Sequence, residues 1–517
     1  MYFIGLAIGA YSLFIFALGI VGYLTAVPVL IGTLIVVLAI LCVVFANKRY
    51  ICISIPKDRL TLLICFTLCV LAIVNLIGAL GPELAFDSLW YHLTIPKLYL
   101  ANNRIEFISG NLLYYAQLPK MGEMLYIPSL LFLNEIGAKL THFTFGLLCC
   151  LTLFNLSRSF LSKKWSLLVV LVFYSNLVVS WLSITSYVDL TRTFFEILAF
   201  SSFFMYFKKG KTKYLILSAL LLGFAASVKV VAVLTVGLYL ILLKSSHKKQ
   251  NFLKEAVVFI ISFALPLAPY VLVSLFQTGN PFYPFFERMI PNSYSLSHFN
   301  PLSILRSILN LFLFSPDPLS PLYAALMPFI ILKARLLFRE QKILFVVCVV
   351  LLVVWYITPF ASARFFVPFL PVFSILSVLV ISKYMNRTQA RIFVFFIFII
   401  VLTTIVYRFG ANSRYLPYLF GSQTKQEFLL KNLNFSFGDF YDENEEIKKM
   451  VGESEVLVLN SHNLYYISFP FAHESWKTRK IYEFVAVQNA SLPARYSNYR
   501  EIYKNLKTRV TLYKSYN

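Results

Sequence analysis

The chain has 517 residues, of which 59% are hydrophobic and only 13% are charged. Soluble globular domains are about half apolar and about a quarter charged. As a soluble protein the chain would form roughly three or four domains, and its 23 acidic and 46 basic residues are too few to cover their surfaces. The composition therefore excludes a soluble globular protein and indicates a membrane protein with many spans.

The formal net charge of +23 would suit a nucleic-acid-binding protein, but its location argues against one. Residues 1–407 contain 31 basic and 12 acidic residues, whereas residues 408–517 contain 15 and 11. The excess lies between hydrophobic segments, where basic residues set membrane orientation. We expect no nucleic-acid partner.

Thirteen apolar segments predict transmembrane helices. A backbone in lipid must satisfy its own hydrogen bonds, so an apolar run of about 20 residues becomes a helix. Together the thirteen segments predict an all-α polytopic domain over residues 1–407. The segments cover residues 3–23, 26–46, 59–80, 136–155, 165–184, 190–207, 213–228, 230–243, 255–276, 321–338, 343–360, 365–381 and 391–407.

The basic residues between these segments predict the orientation of the chain. One alternating set of loops contains 22 of them, and the positive-inside rule makes that set cytoplasmic. We therefore expect an integral protein of the bacterial inner membrane, with a cytoplasmic N-terminus and an extracytoplasmic C-terminus. The opposite loops contain only Lys97, Arg104, Lys120, Lys229, Arg288, Arg306 and Arg364.

Three outer segments are long enough to form structure of their own. Residues 81–135 mix Pro, Asn and aromatic residues with short apolar stretches, which predicts helices along the membrane interface. Residues 277–320 predict a second large loop, rich in turns. Residues 408–517 predict a small extracytoplasmic α/β domain, in which an acidic helix precedes strands and EVLVLN forms a buried one.

Ionisable side chains at the outer ends of the spans are functional candidates, because charge is costly at membrane depth. In the predicted topology all of them lie near the outer face, where they can converge on one cavity. No Cys or His spacing is typical of a metal site, and we predict none. The candidates are Glu83, Asp87, His92, Lys120, Glu123, Asp189, Arg192, Lys229 and Arg364.

Asp87 and Asp189 each allow two interpretations. Asp87, in GPELAFDSLWYHLTIPKLY, is either a general base beside Tyr91 or the N-cap of a helix. Asp189, in SITSYVDLTRTFF, is either a second carboxylate that orients an acceptor or binds a cation, or the partner of Arg192 in a local ion pair. For Asp189 the spacing alone favours the ion pair.

The basic and aromatic candidates are equally open. Lys229 and Arg364 suit a phosphate or diphosphate group, or else extend from helix ends to the interface. His92 is typical of an interfacial hydrogen-bonding residue rather than a metal ligand. The aromatic pairs at Tyr114–Tyr115 and Phe282–Phe286 are typical of interfacial belts.

Three motifs together resemble the type C glycosyltransferase superfamily, integral membrane enzymes that use polyprenyl-phosphate-linked sugars. They are FDSLWYHLTIPKLYLANNRI, YYAQLPKMGEMLY and SYVDLTRT. The resemblance covers residues 59–407 and favours the bacterial branch that contains aminoarabinose transferases and protein O-mannosyltransferases. It implies about thirteen transmembrane helices and an external C-terminal domain.

The resemblance also implies roles for individual residues. Asp87 corresponds to the residue that acts as the catalytic base of an inverting transfer. Asp189 corresponds to the acidic residue of the family's second acidic outer loop. The donor-phosphate position matches either Gln117 or Lys120, of which only the lysine has the right charge. No cofactor is implied, although a divalent cation is compatible with the family. The expected partners are a polyprenyl-phosphate sugar, a glycan, lipid or protein acceptor, and the bilayer.

Two other function classes compete with this hypothesis. An O-antigen polymerase or ligase would use a diphosphate-linked donor and depend on arginines rather than on Asp87. A transporter or flippase would have paired halves with broken helices at the membrane midplane, and the sequence has no such symmetry.

Overall fold

Helices account for most of the chain in the computed structural model, which describes residues 1–46, 58–245, 252–285, 301–314, 319–357, 362–477, 479 and 481–516. Part of the second predicted outer loop, Arg288 included, and part of the first basic loop lie outside the described residues. The first ten α-helices are α1 (Tyr2–Ile20), α2 (Ala26–Ala46), α3 (Arg59–Ala79), α4 (Thr94–Ala101), α5 (Met121–Phe132), α6 (Glu135–Ser157), α7 (Lys163–Tyr174), α8 (Leu177–Leu182), α9 (Asp189–Lys209) and α10 (Thr212–Val228).

The remaining helices complete the membrane part and enter the C-terminal domain. They are α11 (Val236–Lys244), α12 (Phe252–Ala264), α13 (Ala268–Thr278), α14 (Pro301–Leu309), α15 (Pro321–Lys333), α16 (Arg339–Tyr356), α17 (Ala363–Phe366), α18 (Leu370–Tyr384), α19 (Arg387–Asn412), α20 (Leu416–Leu419), α21 (Lys425–Asn432) and α22 (Glu446–Val451).

Two predicted spans are broken rather than continuous. The segment 165–184 divides at Asn176, whose side-chain amide donates to the carbonyls of Val172 and Phe173 and so ends α7. The segment 255–276 bends by 61° between α12 and α13, where Pro266 cannot continue the helical hydrogen bonds. An apolar segment long enough to span the membrane is therefore still interrupted where a polar side chain or a proline ends the helix.

The helices of the structure provide fewer uninterrupted spans, judged by their length and composition, than the thirteen that the sequence predicts. Among the described residues, six helices are long and apolar enough to cross a membrane, or seven if α12 and α13 count as one. The other apolar helices are shorter or interrupted, so the count of thirteen stays a prediction. Helix α19 runs to Asn412, beyond the predicted boundary at residue 407, and the Arg408 guanidinium donates to the Asn412 side chain within it.

The C-terminal domain is built on a five-stranded mixed sheet. Its strands are β1 (Val456–Leu459), β2 (Phe471–His473), β3 (Phe484–Gln488), β4 (Tyr499–Asn505) and β5 (Val510–Ser515), in the order β2-β1-β3-β5-β4. Strand β1 runs parallel to β2 and β3, and the other pairs are antiparallel. All four residues of β1 are buried. The predicted α/β domain and its buried strand are confirmed.

One lysine of the first outer loop helps to dock this domain. The Lys97 ammonium, on α4, donates to the backbone carbonyl of Tyr465 at 2.6 Å and to that of Ile467. Burial lowers the pKa of Lys97 to about 8. The segment 461–467 of the C-terminal domain, which we call the docking loop, is therefore held against α4.

A buried carboxylate provides the second docking contact. Glu135, at the start of α6, lies 2.6 Å from the Lys425 ammonium, and only 2% of its side chain is exposed. The Tyr466 hydroxyl donates to the backbone carbonyl of Glu83 at 2.9 Å. The docking loop thus contacts the same outer segment that carries Asp87.

Candidate functional site

The first outer loop begins at a turn that one buried lysine stabilises. Gly81 and Pro82 end α3, and the Lys139 ammonium donates to the carbonyls of Gly78, Gly81 and Pro82 at 2.7–3.2 Å. These donations satisfy carbonyl groups that the end of a helix leaves open. Sequence reasoning missed Lys139, although a lysine within an apolar segment indicates a residue with a specific partner or function.

Glu83 joins the two loops that carry the candidate aspartates. Its carboxylate accepts hydrogen bonds from the backbone N–H groups of Leu84 and Ala85, at 2.9 and 2.8 Å. Its other oxygen accepts from the backbone N–H of Ser186 at 2.6 Å. Glu83 is therefore a positioning residue, since its oxygens are occupied by backbone donors.

Asp87 faces a cation rather than a helix end. It precedes a single wide helical turn, Ser88–His92, and makes no side-chain capping bond, so the N-cap interpretation is wrong. The Arg364 guanidinium lies 2.7 Å from Asp87 Oδ2, and the Tyr91 hydroxyl donates to the same oxygen at 3.3 Å. About a seventh of the Asp87 side chain is exposed, so a substrate can reach the carboxylate.

Asp189 begins α9 and is buried against two cations from distant segments. The Lys229 ammonium lies 2.8 Å from its Oδ1, and the Arg364 Nε lies 3.8 Å from its Oδ2. The predicted ion pair with Arg192 is wrong. Arg192 instead contacts Glu196, four residues along the same helical face, at 2.7 Å.

Asp87, Asp189, Lys229 and Arg364 therefore form one network, which we call the charge quartet. Arg364 contacts both carboxylates, and its guanidinium also lies over the Tyr187 ring at 4.7 Å. Since both basic side chains end on carboxylates, the alternative in which they extend to the membrane interface is wrong. The quartet has no formal net charge.

A second polar group, which we call the buried polar cluster, lies on the adjacent turns. His92 Nδ1 is 2.6 Å from Glu123 Oε1, and both side chains are buried. The second nitrogen of His92 and the second oxygen of Glu123 have no hydrogen-bond partner, and neither has the amide nitrogen of Gln117. Leaving such atoms unpaired costs about 1–3 kcal/mol each. His92 is thus buried and hydrogen-bonded to a carboxylate, and its place at the membrane interface stays a prediction.

Lys120 belongs to the buried polar cluster and differs from the other candidate cations. Only 5% of the residue is exposed, yet its ammonium makes no hydrogen bond or ion pair with the part of the chain that the structure describes. Burial lowers the pKa of Lys120 to about 8, against the opposing effect of the Glu123 carboxylate. Among the described candidates, Lys120 is therefore the cation available to an incoming anion.

Aromatic rings pack against the tyrosine that contacts Asp87. Tyr115 stacks on Tyr91 with ring centroids 4.4 Å apart, and Trp90 packs against Tyr115 at 5.3 Å. The Tyr91 hydroxyl in turn donates to Asp87, whereas the interpretation of the Tyr114–Tyr115 pair as an interfacial belt stays a prediction. Phe282 is 56% exposed, whereas Phe286 lies outside the described residues.

Sequence reasoning also missed a histidine that supports Asp189. His142 Nδ1 lies 3.0 and 2.9 Å from the carbonyls of Leu182 and Thr185, and its Nε2 accepts from the backbone N–H of Leu190. The ring thereby links both sides of the loop that carries Asp189. Its position inside a predicted span gave no indication of this role.

The described residues contain no cluster of three or more His, Cys, Asp or Glu side chains that could hold a metal ion. Asp87 and Asp189 both already contact basic side chains. A divalent cation between them would have to displace Lys229 or Arg364. These residues do not fit a metal ion as they stand.

No protein-family model and no curated protein matches the chain. Among solved structures it is similar to ArnT from Cupriavidus metallidurans, both bound to undecaprenyl phosphate and in the apo state. Each comparison has a TM-score of 0.59 and covers 87% of this chain and 97% of that chain, at 12% and 13% identity. The apo oligosaccharyltransferase from Archaeoglobus fulgidus matches at a TM-score of 0.45 and 14% identity, over 78% of this chain and 63% of that chain.

The similarity to ArnT concerns the fold. The chain shares the fold of ArnT over 87% of its length. The predicted fold class, a mostly helical protein with a small C-terminal sheet domain, is therefore confirmed, whereas the count of thirteen spans stays a prediction.

Proposed function

We propose that this protein is an integral membrane glycosyltransferase. It transfers a sugar, with inversion, from a polyprenyl-phosphate donor to an acceptor hydroxyl on the extracytoplasmic face. The observation that carries the proposal is the partly exposed Asp87 carboxylate, held 2.7 Å from Arg364 on the loop that also contains the unpaired Lys120 cation. The fold shared with an undecaprenyl-phosphate-bound transferase supports a donor of this class.

Asp87 acts as the general base in a single displacement. Its carboxylate removes the proton of the acceptor hydroxyl while the hydroxyl oxygen forms a bond to the anomeric carbon. The bond between that carbon and the phosphate oxygen of the donor breaks, and the electron pair leaves with the polyprenyl phosphate. Because attack and departure are on opposite faces, the anomeric configuration inverts.

The leaving phosphate needs cations, and two are within the site. Lys120 is unpaired among the described residues, so it can bind the phosphate without breaking an ion pair. Arg364 is suited to bidentate phosphate binding, but it is shared between Asp87 and Asp189. We infer that the donor phosphate attracts Arg364 away from Asp87 and so frees the carboxylate for the acceptor.

Asp189 and Lys229 orient Arg364 for this exchange. Asp189 Oδ2 contacts the Nε of Arg364, whereas Asp87 contacts its Nη1, and Lys229 pairs with the other oxygen of Asp189. Both are therefore positioning residues in the reaction, and Lys229 is not expected to bind the donor while it is paired with Asp189. Glu83 and His92 act in the same way on the loop of Asp87 and on the buried polar cluster.

The protonation of Lys120 predicts a pH dependence. Its pKa in the free protein is about 8, so the ammonium loses its charge as the pH rises through that value. We expect kcat/KM for the donor to be nearly constant around pH 7 and to fall about 10-fold per pH unit well above the pKa, the slope of a single proton. In Lys120→Arg the fall should begin above pH 10, because an arginine stays protonated there. A fall at the same pH in both proteins would contradict the assignment.

Transfer by the purified full-length protein in lipid nanodiscs tests the proposal. The donors are undecaprenyl-phosphate and undecaprenyl-diphosphate forms of glucose, mannose, N-acetylglucosamine and aminoarabinose. The product measured is undecaprenyl phosphate for the monophosphate donors and undecaprenyl diphosphate for the diphosphate donors, in the presence of cell-envelope glycan fractions. We expect turnover with at least one monophosphate donor. Turnover with diphosphate donors alone would assign the protein to the polymerase or ligase class instead.

A further inference from the structure

The docking loop of the C-terminal domain brings a histidine to the edge of the site. The His462 ring lies 4.8 Å from the Trp90 ring and 4.9 Å from the Phe86 ring, between centroids. Phe437, from the same domain, packs edge-on against Phe86 at 5.3 Å. We call these four residues the aromatic box. Phe86 directly precedes Asp87, so the box borders the proposed base.

The aromatic box remains open to solvent. Phe437 is 60% exposed, and Phe86, Trp90 and His462 are all half-buried. A contact that served only to attach the C-terminal domain would bury its large rings, because burial is the source of their stabilising energy. The open rings therefore have contact area left for a ligand.

Docking has its own set of contacts outside the box. Lys97 binds two carbonyls of the docking loop, Glu135 pairs with Lys425, and Tyr466 donates to the carbonyl of Glu83. These polar contacts fix the docking loop without any help from exposed rings. The box consequently needs another explanation.

The chemistry of His462 fits a polar ligand with an apolar face. Burial lowers the pKa of His462, so the imidazole is neutral near pH 7 and has one donor and one acceptor nitrogen. Its Nδ1 makes only a long contact, 3.4 Å, with the side chain of Asn463. A neutral imidazole among the rings of Phe86, Trp90 and Phe437 therefore presents a hydrogen-bonding edge within a largely apolar surface.

We propose that the acceptor is a carbohydrate and that its sugar ring binds in the aromatic box, with one hydroxyl directed at Asp87. A pyranose has apolar C–H faces, which pack on aromatic faces, and hydroxyl edges, which the imidazole of His462 can bind. A Ser or Thr side chain has too few carbon atoms to cover this surface. The inference rests on the proposed function and makes Phe437 and His462 specificity-determining residues.

Sugar binding can be measured without turnover. The probes are methyl β-glucoside, methyl α-mannoside and methyl β-N-acetylglucosaminide, observed by saturation-transfer difference NMR with the full-length protein in nanodiscs. We expect saturation transfer to at least one probe in the wild type and in Asp87→Asn. We expect at least a fivefold loss in His462→Ala and in Phe437→Ala. Phe420→Ala removes a ring that is 82% exposed and lies outside the box, and it should change nothing.

Phe437 is exposed, so its replacement should leave folding intact. Phe437→Ala therefore still tests sugar binding if His462→Ala unfolds the protein. The inference is overturned if no probe binds the wild type, if both box variants bind as well as the wild type, or if a Ser/Thr peptide binds in place of the sugars. In transfer assays, the box variants should raise the acceptor KM about 10-fold.

The two proposals fail in different ways. If no polyprenyl-phosphate sugar is turned over but sugar binding depends on His462 and Phe437, the proposed reaction is wrong and the box is a carbohydrate site of another kind. If transfer occurs and neither variant changes sugar binding or acceptor KM, the reaction stands and the box does not bind the acceptor.

Discussion

Replacing Asp87 by Asn is expected to lower the rate of sugar transfer by about 100- to 10,000-fold, the range that general-base catalysis contributes. An amide cannot accept the proton of the acceptor hydroxyl, whereas it preserves the size of the side chain and an oxygen for the Tyr91 hydroxyl. The donor KM should change little, because the amide leaves Lys120 untouched. The measurement is release of undecaprenyl phosphate at saturating donor.

Glu106→Gln is the matched control for this variant. Glu106 is a carboxylate of the same outer loop, but 45% of its side chain is exposed and it contacts only Arg104 and Asn102 among the described residues. Its removal should leave transfer within twofold of the wild type. Near-normal transfer by Asp87→Asn would show that Asp87 is not the base, and would favour an arginine-dependent reaction.

Replacing Lys229 by Met is expected to destabilise the protein by about 3–5 kcal/mol, the cost of removing one partner of a buried ion pair. Only 1% of the Asp189 side chain is exposed, so its carboxylate would keep just the longer contact with Arg364. The measurement is the free energy of unfolding in mixed micelles, from titration with a denaturing detergent. Transfer should fall as well, because the unpaired Asp189 carboxylate would hold Arg364 and make it less available to the donor phosphate.

The double variant Lys229→Met/Asp189→Asn separates stability from positioning. Removing both charges should recover most of the lost stability, since neither group is then buried without a partner. Transfer should stay low, because Arg364 has lost the carboxylate that orients it. Full recovery of transfer would contradict the role of the charge quartet. A double variant no more stable than the single one would contradict the ion pair itself.

Arg192→Met provides a control of the same kind outside the charge quartet. It leaves Glu196 without its buried partner and should lower stability to a similar extent. Transfer per folded molecule should remain close to that of the wild type, since Arg192 contacts neither Asp87 nor Asp189. A general effect of instability on the reaction would appear as an equal loss in both variants.

The polar candidates show how far a linear pattern can lead. The cost of charge at membrane depth identified Asp87, Asp189, Lys229 and Arg364 one by one. Their partners could not be predicted, because the contacting residues are separated by 40 or more positions and come from different helices. For Asp189, the rule that side chains three or four residues apart on a helix interact predicted an ion pair with Arg192. The structure pairs Asp189 with the distant Lys229 instead.

The sequence by itself determined the class of fold and its outer segments. Apolar length and hydrogen-bond satisfaction in lipid require helices, alternating basic loops predict their sidedness, and a strand pattern predicts the α/β domain. Only the tertiary structure decided that Arg364 joins two carboxylates, that Lys120 is buried without a partner among the described residues, and that His462 reaches Trp90. Each of these depends on side chains meeting across helices and domains, which composition and spacing along one chain do not encode.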